Sequence, residues 1–209
     1  MPRPRVHDLD NVLDVAERLA VTAGPAALTI RALSEATSMS NGALYHAFGT
    51  RAGLLGRAWI RAAQRFLQLQ REAVEQVLED DDGVVDEARA VDAVVAAALC
   101  PVSFAEQNPV SAQFLLTVRR DELLRSSEIP TDVAEELHQL DEALGAIFVR
   151  LSRSLWDRKD RQALALIRDC VVELPTALLL RGNRTHDTAA RARLAAAVRA
   201  LLTIPPAKP

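Results

Sequence analysis

The stretch "TSMSNGALYHAFGTRAGLL", Thr37 to Leu55, decides how the rest of the chain reads. It sets Ser40, Asn41, Gly42 and Ala43 ahead of Tyr45 and His46, then opens onto a long apolar-periodic run. Ser40 stands at an N-cap position, because its hydroxyl can accept from an orphan amide of the first helical turn. A core helix of this length would carry Leu, Ile or Val where this one carries small polar residues and a tyrosine. The pattern therefore predicts an outward face that another molecule approaches closely.

Working outward, Thr29 caps the short "IRALSEA" in the same way, and "TSM" breaks it from the next helix. Before them, "DNVLDVAERLAVTAG" places Leu9, Val12, Leu13, Ala16, Leu19 and Ala20 at three- and four-residue spacing, with Gly24 as the stop. After them, Leu55, Trp59, Ala62, Phe66, Leu69, Ala73 and Val77 mark a long helix from Arg51. Two short helices joined by a tight turn, between a helix on each side, predict a helix-turn-helix whose second helix enters the major groove of DNA. Leu33, Ala36, Leu44 and Phe48 are expected to face inward. Tyr45, Thr50 and Arg51 suit phosphate oxygens, and the Asn41 amide suits an adenine edge.

The net charge of −3 looks wrong for such a role until it is divided along the chain. Residues 1–70 hold eight Arg against five acids, while the remaining 139 hold 17 basic and 23 acidic side chains. The basic share sits with the opening motif, as a phosphate-facing end requires.

Residues 9–57, with G-x4-T-x3-L followed by "ATSMSNGALYHAFGTRAGLL", resemble the DNA-binding domain of the TetR (tetracycline repressor-like) family of transcriptional regulators. Carried over position by position, the resemblance implies that Arg31, Asn41, Gly42, Ala43 and His46 face bases. Thr29, Ser40, Tyr45, Thr50 and Arg51 fall at backbone-contact positions. Three departures stand out: Ser38 at a usual Gly, Ala47 at a usual His, and Arg51 at a usual Lys. A non-glycine at position 38 predicts either a positive φ or a slightly different turn.

Beyond residue 70 the pattern is helical, with helices expected near 85–99, 109–124, 131–157, 160–181 and 188–203. Asn108-Pro109, Pro130-Thr131 and Asp160 supply starts, Gly182-Asn183 a stop, and Pro175 a kink. The acidic "EDDDG" reads as a solvated turn, and "PPAKP" as a frayed tail. The expected fold is all-α: an N-terminal three-helix DNA-binding domain, residues 1–55, joined by a long helix to a helical ligand-binding and dimerisation bundle, residues 56–209.

The resemblance implies a homodimer formed by the last two helices, and Leu164, Ile167, Val171, Leu174, Leu178, Leu194, Val198 and Leu201 supply matching apolar stripes. Phe104, Gln113, Phe114, His138, Phe148 and Trp156 fall on helices that would surround an effector cavity. The partners so implied are a palindromic double-stranded DNA operator, an unknown and mainly apolar small-molecule effector, and a second copy of the chain. An effector wedged among the middle helices would swing the long helix and release a repressor from its operator.

Other classes find little support. With 49% hydrophobic residues the chain can bury a real core, which argues against disorder. No GxSxG, HExxH, phosphate loop or dinucleotide fingerprint occurs, the four His are scattered, and neither a catalytic site nor a cofactor is expected. Cys100 and Cys170 lie outside any metal or redox spacing and read as buried thiols. No uninterrupted apolar run approaches eighteen residues and the N-terminus does not read as a signal peptide, so a cytoplasmic protein is expected. A helical scaffold binding only proteins would account for the C-terminal stripes but not for "SNGALYHAF" followed by Arg51.

Overall fold

Helix α1 (Val6–Ala23) stops where Gly24 takes a φ of 84°, and a 3-10 turn, Pro25–Ala27, leads into α2. Helices α2 (Ile30–Thr37) and α3 (Asn41–Phe48) start on the Thr29 and Ser40 hydroxyls, which accept from the amides of Ala32 and Ala43 at 3.1 and 3.2 Å. Ser38 joins them at φ 58°, so the turn keeps its left-handed residue without glycine. The chain continues through α4 (Arg51–Leu78), α5 (Glu87–Gln107), α6 (Pro109–Thr117), α7 (Arg120–Arg125), α8 (Thr131–Trp156), α9 (Arg161–Arg168) and α10 (Thr188–Leu202). The computed structural model describes residues 6–79, 86–182 and 184–207, and among these there is no strand. The expected turn at "EDDDG" beyond Glu79, the stop at Asn183 and the last two residues of "PPAKP" lie outside the described residues.

By packing, the chain forms two compact units that are each discontinuous in sequence: residues 1–65 with 108–141, and residues 66–107 with 142–209. Neither unit begins or ends at the expected boundary, 55/56.

In the first unit, Val12, Ala16, Ala20, Leu28, Leu33, Leu44, Phe48, Leu54 and Ala58 are buried, and α1 packs on both α2 and α6. Ala36, expected inward, is exposed; Ile30 and Leu33 are the buried residues of that short helix. The start of α4 lies tight against the start of α8. A Cβ at Gly53 would collide with the Phe48 carbonyl and Pro130, and one at Gly56 with Val133, so both positions need glycine for space.

The helix expected over 109–124 is two. It breaks at Val118 and Arg119, where the Val118 carbonyl accepts the Trp59 indole N–H at 3.0 Å.

In the second unit, α5 is longer than expected and carries Pro101 in its interior. A proline there cannot bond the carbonyl four residues back. That carbonyl belongs to Ala97, and it accepts instead from the buried Gln70 Nε2 of α4 at 3.1 Å. Helix α5 is long and apolar enough to cross a membrane by length and composition, yet half of that window is buried in the fold, where the helix packs on α10. It reads as a core helix. Where Pro175 was expected to kink a helix, it has helical dihedrals, and π-type turns at Asp169–Glu173 and Thr176–Leu180 flank it and accommodate the missing bond.

Candidate nucleic-acid interface

Helix α3 divides cleanly. Leu44 and Phe48 are buried, whereas Asn41, Gly42, Tyr45 and His46 lie exposed on one face, the Tyr45 side chain 55% accessible. Ala43 and Ala47 flank that face half-buried. A Cβ added at Gly42 would meet nothing within 4 Å, so nothing in the fold demands glycine there. Glycine costs up to about 1 kcal/mol relative to alanine in a helix interior, and a smaller amount in the first turn, where Gly42 stands. It leaves the helix backbone without a covering side chain at that point of the exposed face.

Around this face stand exposed polar groups. The Thr29 and Ser40 hydroxyls accept cap bonds, which leaves each O–H proton free to donate outward. The exposed Arg31 holds Glu35 at 3.0 Å, one turn along α2.

Thr50, half-buried, and Arg51, exposed, were expected at backbone-contact positions, and both also make bonds within their own unit. The Thr50 hydroxyl accepts from the Gly53 amide at 2.9 Å, as the N-cap of α4, and donates to the Glu128 carbonyl at 2.8 Å. Arg51 donates from Nε to the Leu28 carbonyl at 2.7 Å and from a terminal nitrogen to the Pro25 carbonyl. Both residues brace the helix-turn-helix against its own unit: Thr50 takes a carbonyl just before α8, and Arg51 takes the Leu28 carbonyl and shares the Pro25 carbonyl with the Leu28 amide.

Sequence reasoning missed the feature that fixes the head most firmly. Glu17, 2% exposed, receives Arg61 on Oε1 and the Ser111 hydroxyl on Oε2, each at 2.6 Å. Arg61 also reaches Asp14 at 2.6 Å and the Asp10 carbonyl at 2.8 Å. One ionic cluster therefore ties α1, α4 and α6. The available signal was Glu17's place on the apolar face of α1, four residues after Leu13 and three before Ala20.

The residues expected at an effector cavity divide between the units. Gln113 and His138 of the first unit are exposed, Gln113 bonding only its own helix at Thr117, and Phe114 is fully buried. In the second unit Phe104 is buried and packs edge-on against Phe66, ring centroids 5.5 Å apart, while Phe148 and Trp156 are half-buried. A cleft of about 170 Å³ in that unit is lined by Arg71, Val74, Glu75, Ala146, Ile147 and Arg150, and by none of the six.

Of the residues expected at a dimer interface, Ile167, Val171, Leu194 and Val198 lie in the second unit's own core. These alternate with Leu164, Leu174 and Leu178, which are half-buried, and Leu201, which is exposed. A helix with one stripe inward leaves only the second set for a partner.

The cysteines behave as expected: both are free and buried, and burial pushes each thiol up to about 12. No cluster of His, Cys, Asp or Glu among the described residues could hold a metal.

Residues 12–58 match the model of the bacterial regulatory proteins of the tetR family. A comparison with curated proteins gives no match. Among solved structures, a tetR-family bacterial regulatory protein from Rhodococcus aligns with a TM-score of 0.66 at 18% identity, covering 96% of this chain and 98% of that one. A TetR-family transcriptional regulator from Thermus thermophilus aligns with a TM-score of 0.59 at 20% identity, over 93% and 98% of the two chains. The chain thus carries the tetR-family helix-turn-helix domain at its N-terminal end and has the fold of that family's transcriptional regulators over nearly its whole length.

Proposed function

We propose that the protein is a sequence-specific, DNA-binding transcriptional repressor that works as a homodimer in the cytoplasm and is released from a palindromic operator by a small, mainly apolar effector. The observation that carries this reading is the outward face of α3: Asn41, Gly42, Tyr45 and His46 exposed together, with a glycine that the fold itself does not need. An amide, an imidazole and a bare backbone are what a helix seated in a major groove uses, and Thr29, Ser40 and Tyr45 add hydroxyls for phosphates. Arg31 and Ala43 complete the base-facing set that the family pattern implies. Thr50 and Arg51 hold the head's shape through bonds within the unit, and the exposed Arg51 keeps Nη1 for a phosphate at the backbone-contact position that the family pattern implies.

Dimerisation follows from the reading distance. One short helix covers few base pairs, and two heads about 34–36 Å apart read successive major grooves of a palindrome. Leu164, Leu174, Leu178 and Leu201 are the apolar side chains left outward for a mate. By role, residues 1–55 read DNA and residues 56–209 take the effector and the partner copy. Helices α4 and α8 each contribute residues to both packing units, which gives an effector a covalent route to the head. A coupling of about 1–3 kcal/mol would lower operator affinity roughly 5- to 150-fold.

Selection of DNA from a random duplex pool tests the reading. Enrichment of a palindrome with half-sites one or two helical turns apart is the expected result. A pool that stays random, while the protein remains folded and dimeric, would favour a helical scaffold without sequence readout.

A further inference from the structure

Residues 18–71 contain seven arginines and a single acidic side chain, Glu35. That one carboxylate is not dispersed in solvent. Its Oε1 lies 3.0 Å from Nε of Arg31, the only arginine on the two short helices, and both side chains are largely exposed, 86% for Arg31 and 67% for Glu35. The geometry points to a role for Glu35 beyond α2: it is an internal counter-anion that keeps Arg31 off the phosphates of unrelated DNA. This inference rests on the DNA-reading role proposed above.

The argument is one of competition. An exposed guanidinium beside a duplex would take any phosphate within reach, because that attraction ignores sequence. With Glu35 one turn away, Arg31 already has an anion, and leaving it also places the bare carboxylate near the phosphates. Arg31 therefore leaves only where a contact outweighs the pair, as a bidentate contact to a base edge can. On random DNA, where contacts are poorly aligned, the carboxylate competes with phosphates for Arg31 and reduces its sequence-independent contribution. Three other arginines of the stretch already have partners elsewhere. Arg51 is bound to main-chain carbonyls, Arg57 pairs with Asp132 and Glu136, and Arg61 lies in the Glu17 cluster.

A helix-stabilising pair at i,i+4 would look the same in the free protein, so the test must read DNA. Binding of a 30-base-pair duplex of random sequence, the length being about three helical turns, is measured by anisotropy across a salt series. The proteins are the wild type, Glu35→Gln, Arg31→Ala and the double variant. Glu35→Gln is expected to bind roughly two- to tenfold tighter at low salt, with the slope of log K against log salt steeper by up to about 0.9. Arg31→Ala in the wild-type background is expected to change little. In the Glu35→Gln background it should abolish the gain.

A merely structural pair would shift the melting temperature and leave the slope alone. The inference is overturned by an unchanged affinity in Glu35→Gln. It is equally overturned by a gain that survives Arg31→Ala, which would make Glu35 a repelling charge only, or by an Arg31→Ala loss that is the same in both backgrounds. Wild-type protein that binds no duplex at any salt would remove the DNA reading and this inference together. Wild-type binding with an unaltered Glu35→Gln removes this inference alone.

Discussion

The Ser111 hydroxyl donates to Glu17 Oε2 at 2.6 Å, joining α6 to α1 across 94 residues of sequence at a carboxylate that is 2% exposed. The other oxygen of Glu17 holds Arg61, so the helix that follows the head, the first helix and α6 share one buried charge. Breaking such a pair costs more than its net contribution, because the remaining charge stays buried without its partner. Glu17→Gln should lower stability by about 2 kcal/mol, and Ser111→Ala by about 1 kcal/mol, the usual cost of an orphaned buried acceptor. Urea unfolding of the two variants checks this. Losses below a few tenths would mean that the cluster is solvated in solution.

Gly42 separates stability from function. Because a Cβ there meets open space, Gly42→Ala should stabilise α3 by up to about 0.5 kcal/mol, less than in a helix interior because residue 42 lies in the first turn. The same methyl stands where a base pair would approach, so binding to the selected operator should weaken. Thermal melting and anisotropy on one preparation give both numbers, and a variant that is more stable and binds as well would remove Gly42 from the interface.

Gln70 is the partner of a carbonyl that Pro101 leaves without an amide. Gln70→Leu would leave Ala97 with an unpaired buried acceptor, at a cost of about 1–3 kcal/mol despite the added apolar surface. Replacing Pro101 by Ala restores the helical donor. The pair Gln70→Leu with Pro101→Ala should then recover most of the loss, a coupling that a double-mutant cycle reads directly.

These cases show where the sequence was legible. Caps at Thr29, Ser40 and Asp160 are decided within three residues, so local chemistry announces them. The left-handed Ser38 was one of two outcomes that a missing glycine allows. The long-range bonds were invisible because they pair residues with no sequence relation: Trp59 with Val118, which helps split α6 from α7, Gln70 with Ala97, and Glu17 with Ser111. The inner bonds of Arg51 were invisible for the same reason, since the carbonyls of Pro25 and Leu28 that it reaches lie over twenty residues earlier.

Acid should act on the cap of α9. The Arg158 side chain, followed by the amides of Ala163 and Gln162, holds the Asp160 carboxyl at about 2. An unfolded aspartate titrates near about 3.9. The folded value is the depressed one, so its stabilisation is complete above about pH 4 and is lost as pH falls towards about 2. Asp160→Asn keeps a capping side chain but cannot titrate. Its stability should therefore vary less with pH over that window than the wild type's, as urea unfolding at a series of pH values would show.

The central claim is that the outward face of α3 reads DNA. It is tested most directly by anisotropy titration of the duplex selected from the random pool, and of a scrambled duplex of equal length, with the wild type and with Asn41→Ala and Tyr45→Ala. Both side chains are exposed, so neither change should disturb the fold. The account predicts a strong wild-type preference for the selected duplex. Asn41→Ala should lose about 1–3 kcal/mol of discrimination, and Tyr45→Ala should weaken both duplexes alike, as loss of a phosphate contact does. Equal binding of the two duplexes by the wild type, or variants indistinguishable from it, would contradict the account.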